Sequence, residues 1–538
     1  MFPRIKSYKN KDGSWRHYLF LVQTKRTGGR VRQVTVANFG RLEDVDKILP
    51  DVVEKLSKFT KSLKVISISK DMKGDWSKEY GIVLIFRKIW ERLGLDKHFA
   101  KYQRGRKIGF DVGEIIYTLV LNRLLEPKSE LATYDWMRSL YGIKGVKDIN
   151  QLYRSLDFLI EHKEKIEKDL YEAGKDLFSQ DLDVVLMDTT SVVYFGEGDK
   201  AEDILDYGYS KQKRFDLKQV IVGVFMTKEG VPIAHEVYPG NTNDLTAFKS
   251  MIEAIKSKFS IRRVIIVCDR GMISETNINL LEEKGYEYIV GMRMRQLKRE
   301  DAEKILSTRD MKRLSDSLSG KEVKFKDRRF VVCFNHEEAI NDKGKREEII
   351  ARLTEKLKNQ GLKSLLIHRE YSKYLKIKAE KPELDEEKIK AEQIFDGKFI
   401  LQSNTNFNWR DVILSYKGLW QVEASFRILK SELEMGPIYH WTERRIRAHI
   451  FGCFLALVLK VVFQKELFKI DKSVSVNKVL ADVRKMKAVQ ITLKDTPIIL
   501  RTELEGEAHK AFKAVGLKIP NRVLNNSTGT PENVVVRL

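Results

Sequence analysis

The spacing of apolar residues changes several times along the chain, and each change predicts a different kind of element. His17 to Thr24 and Arg30 to Ala37 are runs rich in β-branched and aromatic residues. Lys25-Arg26-Thr27-Gly28-Gly29 between them is a hairpin signal, so residues 1–60 predict a small β-rich module. From about 80 to 180 the period turns helical. Ile82, Ile85, Phe86, Ile89, Trp90 and Leu93 share one face, and Ile115 to Leu125 forms a second helix that Pro127 stops. Ser129 and Asp148 read as N-caps of a third and a fourth.

At 184 the pattern changes to strands. Val184-Val185-Leu186-Met187 runs through Asp188 into Val192 to Phe195, followed by Lys218 to Met226 and Val231 to Tyr238, with Glu229-Gly230 as the turn. Asn243 to Lys258 predicts a helix. Val264 to Cys268 is a continuous apolar run, as expected of a strand buried on both faces, and it ends at Asp269-Arg270-Gly271. Ser274 to Lys284 reads as a helix and Tyr286 to Val290 as a further strand. Residues 292–398 differ in character: 28 basic and 21 acidic side chains among 107 predict a solvated, mixed insertion. Phe325 to Phe334 alternates like strands there, and Lys345 to Asn359 and Leu384 to Ile394 look helical.

Strand character resumes at Gly397 to Gln402, and Ser415 to Lys430 then reads as one helix. Leu419, Val422, Phe426 and Leu429 make its buried stripe, while Glu423, Arg427 and Lys430 project from a polar face with Trp420 and Tyr416. A carboxylate with two cations and two aromatics suits a metal ion and phosphates held together; the plainer reading is an exposed helix with a Glu–Arg pair. Gly418 inside a helix costs about 1 kcal/mol relative to alanine, and a helix that begins there leaves Tyr416 off the face. Arg445 to Val462 is a largely apolar helix. The longest apolar run, Phe451 to Phe463, contains Lys460 and is shorter than the roughly 20 residues a bilayer span needs, so no membrane partner is expected.

Composition adds a partner. Lys plus Arg outnumber Asp plus Glu by 99 to 76, a net charge of +23, which points to a polyanion whose phosphates those cations neutralise. Cys268, Cys333 and Cys453 are too few and too scattered for a disulfide framework or a zinc site, which implies a reducing compartment. Met1-Phe2-Pro3-Arg4-Ile5-Lys6 lacks an apolar signal segment. A cytoplasmic, nucleoid-associated location is the expectation.

Three carboxylates stand out by context. Asp188 follows an apolar strand run, Asp269 ends another just before a glycine, and Glu423 lies on the polar helix face. A lone aspartate at a strand end is usually a turn former or a helix cap. Two of them with a helical glutamate, in an α/β pattern and a strongly basic chain, make a metal site the better reading. Phosphate-loop, His-Glu-x-x-His and Gly-x-Ser-x-Gly patterns are absent from the sequence. His235, His336, His440 and His449 stand apart along the chain and read as structural or surface residues.

With these residues in place, the chain resembles a DDE transposase of a prokaryotic insertion sequence, in the branch with an insertion between the second Asp and the Glu. That branch carries a helix signature Tyr-x2-Arg-x3-Glu-x6-Lys; Tyr416, Glu423 and Lys430 match it, and Leu419 stands at the arginine position. Asp188-Thr-Thr-Ser, Gly208-Tyr-Ser-Lys211, Pro239-Gly-Asn-Thr-Asn-Asp244, Cys268-Asp-Arg-Gly271 and Phe395-Asp-Gly397 are similar to the family's segments as well.

The resemblance implies an RNase H-like catalytic core, over 181–291 and 399–465, interrupted by an inserted mixed domain at 292–398. A basic β-module (1–60) and a helical DNA-binding or dimerisation region (80–180) precede it, and a tail (466–538) follows. It further implies that Asp188, Asp269 and Glu423 hold two Mg²⁺ ions, which Mn²⁺ can replace. Tyr416, Lys430, Lys211 and Arg270 would grip DNA, with Lys417 or Arg427 supplying the cation missing at Leu419. The partners implied are element ends, target DNA and a second copy of the chain. Residues 292–398 contain no Trp, so Tyr371 or Tyr374 would have to stack on a flipped base if a DNA hairpin forms. Two other readings stay open: a DNA-binding protein of transposase descent that no longer cuts, and an RNase H-like host nuclease.

Overall fold

The computed structural model describes residues 1–27, 30–57, 59, 64–67, 72–178, 184–196, 204–209, 214–258, 264–359, 369–378, 381–493, 496–524 and 534–537. The chain divides into two units: Met1–Val83 with Ser139–Gly142 and Asn477–Leu538, and Leu84–Arg138 with Ile143–Val476.

In the first unit the alternating runs form the strands expected. β1 (Phe2–Lys9), β2 (Trp15–Thr27) and β3 (Arg30–Arg41) make an antiparallel sheet in that order. β1 accompanies β2 as far as Phe2↔Val22, and the β2–β3 pair then runs on for five more register pairs, Gln23↔Val34 to Thr27↔Arg30. α1 (Val45–Ser57), β4 (Lys64–Ser67) and β5 (Met72–Glu79) follow.

α2 (Gly81–Arg92) leads into the second unit, and the six apolar residues spaced along it and just beyond are all buried. α3 (Leu95–Gln103), α4 (Val112–Leu125), α5 (Glu130–Trp136), α6 (Asn150–Glu161) and α7 (Lys163–Phe178) come next. Ser129 caps α5 by accepting from the Ala132 N–H; Asp148, expected as the next N-cap, stands one residue earlier than that, before Ile149, and its carboxylate accepts from Asn150 N at 3.0 Å. α4 and α6 bury Ile115, Leu119, Leu152 and Leu156 against Ala448 of the long helix near the end of this unit. The helical region is therefore packed into the second unit rather than set apart from it.

The strands then arrive in order. β6 (Val184–Val193), β7 (Gln219–Thr227) and β8 (Pro232–Pro239) form an antiparallel meander. α8 (Asp244–Lys258) returns the chain to β9 (Ile265–Cys268), parallel to β6, and α9 (Glu275–Glu283) leads to β10 (Glu287–Gly291), parallel to β9. After α10 (Arg299–Ile305) come β11 (Lys312–Arg313), β12 (Leu318–Phe325) and β13 (Arg328–Asn335). α11 (His336–Asn359), α12 (Arg369–Ser372), the hairpin of β14 (Leu375–Lys378) and β15 (Lys381–Leu384), and α13 (Glu386–Gln393) lead to β16 (Lys398–Ser403).

The sheet order is β11-β12-β13-β16-β10-β9-β6-β7-β8. Residues 292–398 thus contribute three strands to the core sheet, and β16 is antiparallel to both β13 and β10. What stands apart is a satellite cluster of Leu353, Tyr371, Tyr374 and Leu375. The alternation read over 325–334 is broken by a turn at Lys326 and Asp327, both at positive φ (51° and 59°), the backbone of a two-residue hairpin whose twist matches its strands.

The helix expected over 415–430 is two: α14 (Trp409–Lys417), capped by the Asn408 side chain, and α15 (Trp420–Ser431). α16 (Glu443–Ile470) is longer than its apolar run suggested. By length and composition it is able to cross a membrane, but 94% of its most apolar window is buried inside the protein, as befits a core helix. The stretch read as a mixed tail returns to the first unit through α17 (Val476–Arg484). There β17 (Lys487–Leu493) pairs with both β5 and β18 (Thr496–Arg501). α18 (Ala508–Ala514) follows, and β19 (Val534–Arg537) lies parallel to β4.

Candidate active site

Period-two alternation along β6 sorts its side chains between two faces. Val185 and Met187 enter the core shared with Phe248, Ile252, Ile278 and Leu281 of α8 and α9, which sends Leu186 and Asp188 to the other face. Met187 pairs with Cys268 across the parallel β6–β9 contact, so Asp188, midway along β6, and Asp269, directly past the end of β9, come side by side. The buried Cys268 thiol reports both: burial holds its pKa well above the ordinary value, and the Asp269 and Asp188 charges push the same way. Asp188 accepts from Thr189 N at 2.7 Å, and Thr189 Oγ1 donates to Asp244 Oδ1 at 2.6 Å.

The break between α14 and α15 lies on that same face. A Cβ at Gly418 would stand 2.9 Å from the Ser415 carbonyl oxygen and 3.3 Å from Leu186 Cδ1, so glycine lets the break settle onto β6. Tyr416 and Glu423 therefore come from different helices yet face one cavity. The Tyr416 hydroxyl donates to Asp269 Oδ1 at 3.0 Å. Burial, and then the Asp269 charge, hold that phenol well above its ordinary pKa, so it stays a proton donor. Gly291, the last residue of β10, makes room for it: a Cβ there would lie 2.5 Å from the hydroxyl oxygen. Glu423 is exposed in the first turn of α15, where the helix N-terminus favours a negative charge.

A cavity of about 520 Å³ is lined by Asp188, Asp269 and Glu423 together with Tyr416, Lys417 and the buried Leu419. Trp420, 64% exposed, stands on its rim. Asn335, Glu338 and Phe399 also line it, and no spacing in the sequence had marked them. They arrive because β13 and β16 belong to the sheet that carries Asp188, and α11 begins directly after β13. Arg427 and Lys430 are not among the lining residues, although they share a stripe with Glu423. Arg270 is exposed directly after Asp269, and Lys211 lies outside the described residues.

Two sequence expectations change. Tyr371 and Tyr374 are 9% and 5% exposed inside the satellite core, packed too deeply to stack on a base. His440 and His449 do not stand apart: with Glu130 they form, among the described residues, a group whose ligand-type atoms lie within 4.8 Å of one another. Their bonds are internal. His440 Nε2 lies 3.1 Å from Glu130 Oε1, and His449 Nε2 donates to the Met435 carbonyl oxygen at 3.0 Å. The Arg123 guanidinium lies 3.9 Å from the same Glu130 oxygen, a fixed cation where a metal ion would have to compete. His235 is fully buried against Phe451 and Phe454.

The Transposase DDE domain family matches residues 179–459, a little over half of the chain. The IS1634 family transposase N-terminal domain matches residues 3–67. No curated protein matches the chain. Among solved structures the chain is similar to a piggyBac transposase synaptic complex with hairpin DNA, at 10% identity and a TM-score of 0.36 over 76% of this chain and 82% of that one. It is also similar to a Drosophila P element transposase strand transfer complex, at 14% identity and a TM-score of 0.18 over 71% and 72%. Likenesses that weak add nothing to the two family matches. Those two matches, the first over more than half of the chain, lead to one conclusion: the chain belongs to the DDE transposase family of insertion sequences.

Proposed function

We propose that Asp188, Asp269 and Glu423 are the catalytic acids with which this transposase cleaves DNA at the ends of its element and joins the freed 3′-hydroxyl to target DNA. The observation that carries this reading is convergence: three acids separated by 81 and 154 positions line one cavity. The strand order β8-β7-β6-β9-β10, with β6 to β8 antiparallel and β9 and β10 parallel to β6, supports an RNase H-like core. The homodimer that the sequence resemblance implies belongs to the same reading.

The donor set fits the expected metal. Carboxylate oxygens are hard ligands of the kind Mg²⁺ and Mn²⁺ prefer, and no imidazole or thiolate lines the cavity among the described residues. Asp188, Asp269 and Glu423 would hold the ions, which supply activation of water and neutralisation of the leaving oxygen. The chain's own residues do the rest. Tyr416 orients the Asp269 carboxylate through its hydroxyl. Lys417 brings a cation to the cavity wall beside Leu419, which makes it, rather than Arg427, the replacement for the missing arginine. The exposed indole of Trp420 offers an unpaired base the stacking surface that Tyr371 and Tyr374 do not.

The test uses duplexes carrying the inverted repeats that flank the reading frame. Cleavage and joining should require Mg²⁺ or Mn²⁺ and stop on chelation; a protein that binds those ends and never cuts them in either metal would sink the proposal. Tyr416→Phe and Gly291→Ala should each slow cleavage about tenfold, since one hydrogen bond to a charged group is worth roughly 1.5–3 kcal/mol. The pair should cost little more than either alone, because removing the hydroxyl removes what the new Cβ would strike. Additive losses would place the two effects in separate mechanisms.

A further inference from the structure

We infer that the free end of the β2–β3 hairpin is a DNA-binding arm, a two-stranded ribbon whose cations contact duplex phosphates apart from the cleavage cavity. Residues 13–42 contain six Lys or Arg and no Asp or Glu. The cations concentrate where β1 no longer accompanies the hairpin, in the register pairs Lys25↔Arg32, Arg26↔Val31 and Thr27↔Arg30. Lys25, Arg26 and Arg32 are exposed. Among the described residues no carboxylate pairs with them.

The pairing of Lys25 with Arg32 is the telling feature. Like charges directly opposite on neighbouring strands repel, so this register destabilises the hairpin end in the free protein. A polyanion removes that repulsion, and the ribbon has the shape to meet one. The five pairs beyond β1 extend about 13 Å at roughly 3.3 Å per residue, and a two-stranded ribbon fits a major groove about 12 Å wide and 8.5 Å deep. Val31 and Val34 are exposed on the same segment, 59% and 45%, so the ribbon presents apolar as well as cationic groups to a groove. The inference rests on the transposase reading for its choice of DNA as the polyanion.

The test is anisotropy of labelled duplex DNA with the full chain over a salt series. Lys25→Thr with Arg32→Thr keeps residues suited to strands and removes two charges. The slope of log affinity against log salt should fall by about 1.8, near 0.9 per lost phosphate contact. The charge-swapped pair, Lys25→Arg with Arg32→Lys, should keep the wild-type slope. In the absence of DNA the threonine pair should melt no lower than wild type, since it removes a repulsion. An unchanged slope and affinity in the threonine pair overturns the arm, as does an equal loss in the swapped pair. Binding to phosphatidylglycerol vesicles that depends on these two residues while the DNA slope does not would also overturn it, in favour of a membrane surface. If the wild type binds DNA with the expected slope but never cuts, the catalytic reading fails and the arm stands; if it cuts while the slope is insensitive to the ribbon, the reverse holds.

Discussion

Asp269→Asn is expected to abolish metal-dependent cleavage and joining, by about 10³-fold or more, while DNA affinity stays within about twofold. Loss of several kcal/mol of transition-state stabilisation accounts for the first figure, at 1.36 kcal/mol per decade. The second follows because, in the proposed site, the substitution removes a metal ligand and no phosphate contact. Asparagine keeps an oxygen that can accept from the Tyr416 hydroxyl, so the cavity wall should hold its geometry. Single-turnover cleavage and equilibrium binding, measured on the same duplex, check the two halves. Preserved cutting with lost binding would place the chemistry elsewhere.

Glu167→Ala is expected to destabilise the catalytic unit by about 3–5 kcal/mol, the usual cost of breaking a buried charge network from one side. Glu167 is fully buried on α7. Its Oε1 accepts from His235 N at 3.0 Å, and Lys163 Nζ lies 3.1 Å from its carboxylate and 3.3 Å from that of Glu236. His235 Nδ1 also lies 3.0 Å from Glu167 Oε1, out of line for a hydrogen bond. Without the carboxylate the His235 N–H and much of the Lys163 charge lose their partner. Glu167→Gln, which keeps an acceptor, should cost less. Urea unfolding of the purified chain is the measurement, and equal stability of all three proteins would show the network to be idle.

The same site sets an acid limit. Burial, and then the Lys163 charge, push the His235 imidazole down to about 4. The unfolded chain takes up that proton near pH 6.5 and the folded chain near 4, so between those values the unfolded state binds more protons. Stability should hold above about pH 6.5, fall as the pH drops toward 4, and level off below it. His235→Gln should flatten that stretch of the curve.

The three carboxylates that line the cavity were legible as candidates because each had a local signature. Asp188 and Asp269 end apolar runs, and Glu423 sits four residues after Leu419 on a helical face. Their strands and their order were legible for the same reason. What spacing could not show was set at long range. The satellite packing that buries Tyr371 and Tyr374 joins elements scattered over 349–389. The membership of β12 and β13 in the core sheet depends on a strand that returns more than sixty residues later. The break at Gly418 had a local signal in glycine's helix cost, but its reason, the approach to Leu186, lies on a strand over two hundred residues away. Arg427 shared the right stripe by periodicity; the start of α15 at Trp420 leaves it one turn past Glu423, and Lys417 at the end of α14 takes the wall.

The place of β16 in the sheet has a consequence for how the enzyme is made. β16 pairs with β10 on one side and β13 on the other, and α14 and α15, which bring Tyr416 and Glu423, follow it. During synthesis Asp269 leaves the ribosome 154 residues before Glu423, an interval of about 8–30 s at 5–20 residues per second. Through that interval the nascent chain already carries its N-terminal ribbon and both aspartates, but neither the helix that bears Glu423 nor Tyr416, whose hydroxyl donates to Asp269. If the ribbon is the DNA-binding arm and the three acids are the catalytic set proposed above, the growing chain is able to hold DNA before it is able to cut it.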